Sequence, residues 1–113
     1  IAQSGSKGSM IMCIPNEGSI IGLRDDDIVE ITCDVDKNGA TPHRIGEVGE
    51  QNLELIRRVK NYERLSSKAI RERNRTAAVQ ALTLHPLVNS YSLAVKLVDE
   101  YIKHNKDYCN GWK

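Results

Sequence analysis

The chain has few cysteines, no long apolar run and no excess of either charge, and each shortage removes a class of protein. Cys13, Cys33 and Cys109 are odd in number and far apart, which argues against a disulfide framework and fits a reducing cytoplasm. Sixteen basic against fifteen acidic residues leave a formal net charge of +1, so bulk electrostatics predict no polyanion partner. No apolar stretch is long enough to span a bilayer, and no signal peptide is visible. Nor does any strand lead into G-x-G-x-x-G, the dinucleotide fingerprint. The glycines of Gly5-Ser6-Lys7-Gly8 have the wrong spacing and read as linker. An initiator Met is also lacking: the chain opens at Ile1, and IAQSGSKGS looks like the end of a helix whose start is missing. The expectation is one fragment, residues 1–113, of a larger enzyme.

What is present is organised. Met10 to Pro15 is a short apolar run, and Pro15 stops it because proline lacks the amide donor of a ladder. Asn16, Gly18 and Ser19 favour a sharp turn before Ile20, Ile21 and Leu23 re-enter a core. From Ile28 the pattern alternates, with Val29, Ile31, Cys33 and Val35 on one face and Glu30, Thr32 and Asp34 on the other. Asn38-Gly39 is the dipeptide of two-residue hairpins, which predicts that the segment near His43 to Val48 pairs back antiparallel.

Beyond Gly49 the period changes to about 3.6 residues. A first helix is predicted over about Glu50 to Arg73, with Val59, Tyr62, Ala69 and Ile70 on its apolar stripe and charge opposite. Asn74 can cap a second helix that ends at His85-Pro86, and Ser90 or Ser92 a third in which Ala94, Leu97, Val98, Tyr101 and Ile102 recur. Residues 106–113 lack a period and are expected to be loose. The fold class is α+β: short, mostly antiparallel strands with a hairpin, then about three packed helices. The apolar face of the Ile28 strand has no other partner in this pattern, so the first helix is expected to cover it.

Taken in order, these segments resemble the C-terminal region of the NAD-dependent glycoside hydrolases of family 4, which include 6-phospho-β-glucosidases, 6-phospho-α-glucosidases and α-galactosidases. The residues that carry the resemblance are Ile14-Pro15-Asn16-Glu17-Gly18-Ser19-Ile20, Asp26-Asp27-Ile28-Val29-Glu30, Val35-Asp36-Lys37-Asn38-Gly39 and Ile45-Gly46-Glu47. They continue with Val59-Lys60-Asn61-Tyr62-Glu63-Arg64-Leu65 and Leu84-His85-Pro86-Leu87-Val88. General similarity is greatest to the 6-phospho-β-glucosidases.

The resemblance implies the substrate-side domain of a lactate-dehydrogenase-like glycosidase, partnered by a Rossmann-type NAD domain in a cytoplasmic homo-oligomer. It implies chemistry outside the usual two-carboxylate scheme: NAD takes hydride from sugar C3, a tyrosine removes the C2 proton, the aglycone is eliminated, water adds and the hydride returns. A divalent metal, usually manganese, polarises the C3 oxygen. Within the family the ligands, the tyrosine and the NAD contacts lie upstream of the matched region. No catalytic, NAD-binding or metal-binding role therefore transfers to a residue here, and the isolated chain is expected to be inactive, with neither NAD nor Mn2+ bound.

Individual residues favour ordinary explanations. Cys33 and His43 invite a metal, but without a third ligand a core Cys and a surface His are the better reading. Tyr62 lies on an apolar stripe and suits a packed phenol. His85 suits a helix terminus. Asp25, Asp26 and Asp27 read as a solvated turn rather than a cation shell. The segment placed near a site is Asn16-Glu17-Gly18, as substrate-pocket lining, because a turn at a strand's carboxyl end sits where ligands collect. Asn16 would donate to substrate or support the pocket wall. The alternatives are a basic nucleic-acid-binding helix, through Arg57, Arg58, Lys60, Arg71, Arg73 and Arg75, and a helical interaction module. Both leave the hairpin half without a task, and neither nucleic acid nor membrane is expected as a partner.

Overall fold

The computed structural model describes residues 5–113, in two units that divide between Leu53 and Glu54. Its elements are β1 (Gly8–Pro15), β2 (Ile28–Asp36), β3 (Gly39–Pro42), α1 (Glu50–Glu72), α2 (Arg75–Leu84) and α3 (Tyr91–His104). The order is the α+β arrangement that the periodicities predict. The helix end expected over Ile1 to Ser9 lies partly outside the described residues, and Gly8 and Ser9 already belong to β1.

In the first unit the strands form one antiparallel sheet in the order β1-β2-β3. Met12 lies opposite Ile31 and Ile14 opposite Val29. Because side chains alternate along a strand, this register gathers the apolar ones on one face. Val29, Ile31 and Cys33 are buried there, and Met12, Ile14, Ile20, Leu23 and Val35 pack against them. Ile20 and Leu23 come from the connection between β1 and β2. The cover expected from the first helix is thus supplied by the sheet's own loop.

The hairpin differs from expectation in its centre. Asp36 pairs with Gly39, so the turn residues are Lys37 and Asn38, and neither has a positive φ. The Asp36 carboxylate accepts a hydrogen bond from the Asn38 amide at 2.7 Å, a side-chain turn that a sequence reading centred on Asn38-Gly39 misses. Gly39 then takes φ +127°, which an L side chain rarely adopts. β3 stops at Pro42; the antiparallel pairing expected as far as Val48 reaches only the His43 amide, which donates to Thr32 O at 2.9 Å, and Gly46 instead forms a parallel bridge with Ile20.

In the second unit α1 ends where Arg73 turns left-handed, at φ +51°. The Asn74 amide bonds Ala69 O at 2.9 Å and the Arg73 amide bonds Ile70 O at 3.2 Å, the paired bonds that satisfy the last carbonyls of a helix. Asn74 then caps α2, its side chain accepting from the Ala77 amide at 2.9 Å, and Ser90 caps α3 in the same way. Val79, Ala94 and Val98 form the buried centre of α2 and α3, with Leu82, Val88 and Ile102 around them.

The tail of residues 106–113, expected to be loose, is tied down. Lys113 and Arg75 bond through the Arg75 amide at 2.8 Å, and the Lys113 amide bonds Arg73 O at 3.0 Å. The Arg73 guanidinium also donates to Asn110 O at 3.0 Å. Backbone pairing needs no periodic side-chain pattern, so no such signal was there to read.

Arg75 and Asp99 join α2 to α3 through two hydrogen bonds of 2.7 and 2.9 Å. The bond to Arg75 lowers the Asp99 pKa from its ordinary 3.8, and the same bond raises that of Arg75. A lowered carboxylate pKa contributes stability above the unfolded value, and that stability is lost as pH falls through the folded one. Asp99→Asn should therefore be less stable than the parent at neutral pH, with the difference shrinking below pH 3.8. Denaturant titrations at a series of pH values check this.

Candidate functional site

Pro15 ends β1, and the turn that follows is built around a wholly buried Asn16. Its amide is closed on the backbone of Ile20: the Ile20 N–H donates to Asn16 Oδ1 at 2.8 Å, and Asn16 Nδ2 donates to Ile20 O at 3.1 Å. Its own backbone is used too, since the Asn16 amide bonds Asp27 O at 2.8 Å and the Ser19 amide bonds Asn16 O at 2.7 Å. The last bond closes a four-residue turn whose central residues, Glu17 and Gly18, both have positive φ, +41° and +76°. That geometry belongs to the mirror-image turn of tight hairpins. Gly18 adopts it without strain, whereas Glu17 does so against the preference of an L side chain.

Two neighbouring segments brace this turn. Asp27 is buried and its carboxylate accepts from the Arg24 amide at 3.0 Å, while the Asp25 carbonyl accepts from the Glu17 amide at 3.1 Å. On the other side Ser19 O accepts from the Ile45 and Gly46 amides at 2.9 and 3.0 Å, and the Ile21 amide donates to Gly46 O at 2.9 Å. Arg44 Nη1 comes within 3.6 Å of where a Cβ on Gly18 would stand. The result is a rigid turn that presents the Glu17 carboxylate to solvent with the Arg44 guanidinium close to Gly18. The three residues singled out from sequence are thus held in one turn, but Asn16 faces inward and its amide is already engaged. Arg44 was missed, since it carries no motif and only the parallel bridge brings it here.

The other candidates fall apart. Asp34 and His43 bond at 2.9 Å on the face of β2 opposite Cys33, whose thiol is fully buried near Ile31 O, so Cys33 and His43 are not brought together. Asp26 pairs with Arg24 at 3.0 Å. The Tyr62 ring meets His85 edge-on, with 4.6 Å between centroids, and His85 Nδ1 accepts from the Leu87 amide. Of the basic side chains, Lys60 pairs with Glu63 and Arg58, Arg64, Arg73 and Arg75 bond Asn89, Asn61, Asn110 and Asp99. The second unit also holds an open apolar groove of about 250 Å³, with Tyr62, Ala69, Leu82, Val98, Ile102 and Trp112 among its lining.

Compared with known proteins, residues 2–88 match the family 4 glycosyl hydrolase C-terminal domain. The chain belongs to that family. Among curated relatives, a probable 6-phospho-beta-glucosidase of Bacillus subtilis is 31% identical over 93 residues, 82% of this chain and 21% of the relative. The 6-phospho-beta-glucosidase BglT of Thermotoga maritima is 36% identical over 93 residues, 82% of this chain and 22% of the relative. A crystal structure of a 6-phospho-alpha-glucosidase from gut microorganisms, in complex with NAD and glucose-6-phosphate, superposes with a TM-score of 0.88 at 31% identity, over 96% of this chain and 25% of the other. The Thermotoga maritima 6-phospho-beta glucosidase with manganese, NAD+ and glucose-6-phosphate superposes at 0.85 and 32%, over 95% and 27%. The family 4 domain therefore spans between a fifth and somewhat over a quarter of the proteins it resembles.

Two substitutions test the turn of the family 4 domain with opposite signs. Asn16→Ala orphans a buried donor and acceptor at Ile20 and should cost about 2–4 kcal/mol. Glu17→Gly relieves a left-handed L residue and should stabilise by up to about 1 kcal/mol once the extra freedom of the unfolded glycine is counted. Urea unfolding of the three proteins side by side checks both.

Proposed function

We propose that this domain is the substrate-side, C-terminal part of a glycosidase that cleaves 6-phosphoglycosides with the help of NAD and a divalent metal. The observation that carries the reading is the family match, joined to superposition on 6-phosphoglucosidases crystallised with NAD, Mn2+ and glucose-6-phosphate. Within the family we place the parent with the 6-phospho-β-glucosidases. Relatives of that type from Thermotoga maritima and Escherichia coli reach 36% and 37% identity, against 34% for the maltose-6'-phosphate glucosidase and the phospho-alpha-glucosidase of Clostridium acetobutylicum.

The residues present fit neither cofactor. Among the described residues no three His, Cys, Asp or Glu side chains converge, and the sequence holds no glycine-rich dinucleotide turn. The metal and the dinucleotide belong, on this reading, to the remainder of the parent, which is the domain's partner. The domain's own task is positional: Asn16 supports a pocket wall from behind, while Glu17 and Gly18 form its surface. Hydrogen bonds on both sides of the turn support this, because a wall fixes substrate only if it is itself fixed.

The parent is also proposed to be a cytoplasmic homo-oligomer. Three unpaired cysteines suit a reducing compartment. For the assembly, Leu84, Leu87, Tyr91 and Leu93 expose apolar surface within ten residues of chain.

Grafting tests the proposal. A chimera in which these 113 residues replace the matching C-terminal segment of the Thermotoga maritima enzyme should hydrolyse a chromogenic 6-phospho-β-glucoside, and only with NAD and Mn2+ supplied. The isolated chain should show no turnover and no micromolar NAD binding by calorimetry. A well-folded chimera without activity would overturn the reading.

A further inference from the structure

The two edges of the sheet are unequal. β3 is four residues long, begins with Gly39 and ends in Pro42, and shortness and proline are the usual ways of blunting an edge. β1 has neither defence. It runs for eight residues with its only proline at the last position and no lysine, and among the described residues it pairs only with β2. Its side chains are apolar where a protected edge would be charged: Met10 is 46% and Ile11 67% exposed, and Cys13 is exposed as well. A row of unpaired amides and carbonyls beside apolar side chains is a template for one kind of occupant, an extended strand.

We infer that the free edge of β1 is completed, in the parent enzyme, by a strand from the part of the parent that precedes this domain. The inference rests on the family 4 reading above and deepens it by naming the surface through which the remainder of the enzyme joins. Three arguments select that occupant over a second copy. The match is to a C-terminal domain, so the rest of a relative such as the Bacillus subtilis protein, about four-fifths of its length, lies mainly on the upstream side. β1 is the first element among the described residues, and elements consecutive in sequence are usually spatial neighbours with short loops to close. A strand on the same chain also competes at an effective concentration in the millimolar range, which a second copy does not reach.

Amide hydrogen exchange on the chimera described above, compared with the isolated 113-residue chain, tests this. Alternate amides of β1, those not bonded to β2, should exchange about a hundredfold more slowly in the chimera, while the outer amides of β3 stay unchanged. Equal rates in the two proteins would overturn the inference. Protection that appears equally in the isolated chain, rises with its concentration and accompanies a dimer mass would overturn it in favour of a second copy. The readouts separate the two claims: an active chimera with unprotected β1 amides removes the edge but keeps the glycosidase, and an inactive chimera with protected amides does the reverse. Should the graft not fold, the intact Thermotoga maritima enzyme decides, at the strand aligned with β1, and fast outer amides there overturn the inference.

Discussion

One side-chain amide governs the first unit. Asn16 is fully buried, and its two polar ends are closed on the amide and carbonyl of a single residue, Ile20. Burying an amide is costly unless its hydrogen bonds are made, and one that is fully paired specifies a single arrangement. Here the pairing sets where the chain goes after β1. Held at Ile20, the connection folds back so that Ile20 and Leu23 land on Val29, Ile31 and Cys33. The same register presents Ser19 and Ile21 to Ile45 and Gly46. Core, bridge and turn depend on one contact four residues apart in sequence.

The second unit reaches order differently. Its helices are stopped and started by local bonds, with Arg73 left-handed, Asn74 capping α2 and Ser90 capping α3. Small residues, Ala77, Ala81 and Ala94, are buried in it, and Ala94 packs with Val79 and Val98 where α2 and α3 meet. The chain's last described residue returns to the α1–α2 junction through Lys113, Arg73 and Arg75. This unit offers helices and an apolar groove, whereas the first offers a rigid polar turn. The division is why the candidate site is placed on the sheet end.

Much of this was legible in the residues. Alternation from Ile28 and the 3.6 period beyond Gly49 place β2 and the three helices, because both periods report which side faces a core. Asn74, and Ser90 or Ser92, read as caps because their side chains can take up a helix's first free amide. The turn at Asn16 was legible as a turn, but the direction of the Asn16 side chain was not. A buried asparagine and a ligand-binding one have the same sequence signature, and only the position of Ile20 decides between them. The hairpin centre was misread because Asp36 bonds the Asn38 amide and makes a turn of Lys37-Asn38. Arg44 beside Gly18, the parallel bridge and the docked tail arise from contacts remote in sequence, which no local pattern encodes. The family resemblance over the strand, turn and helix motifs agrees with the match over residues 2–88.

The central claim is that the connection from Asn16 to Asp27 is an integral layer of the sheet unit and not a surface loop. Native-state hydrogen exchange at low denaturant measures this most directly, through the amides of Ile20 and Ile21, bonded to Asn16 Oδ1 and Gly46 O, against those of Ile31 and Cys33 in β2. The account predicts that all four open together, with the same free energy and the same denaturant dependence, as members of one cooperative unit. Ile20 and Ile21 exchanging through a small local opening, while Ile31 and Cys33 keep their full protection, would contradict it.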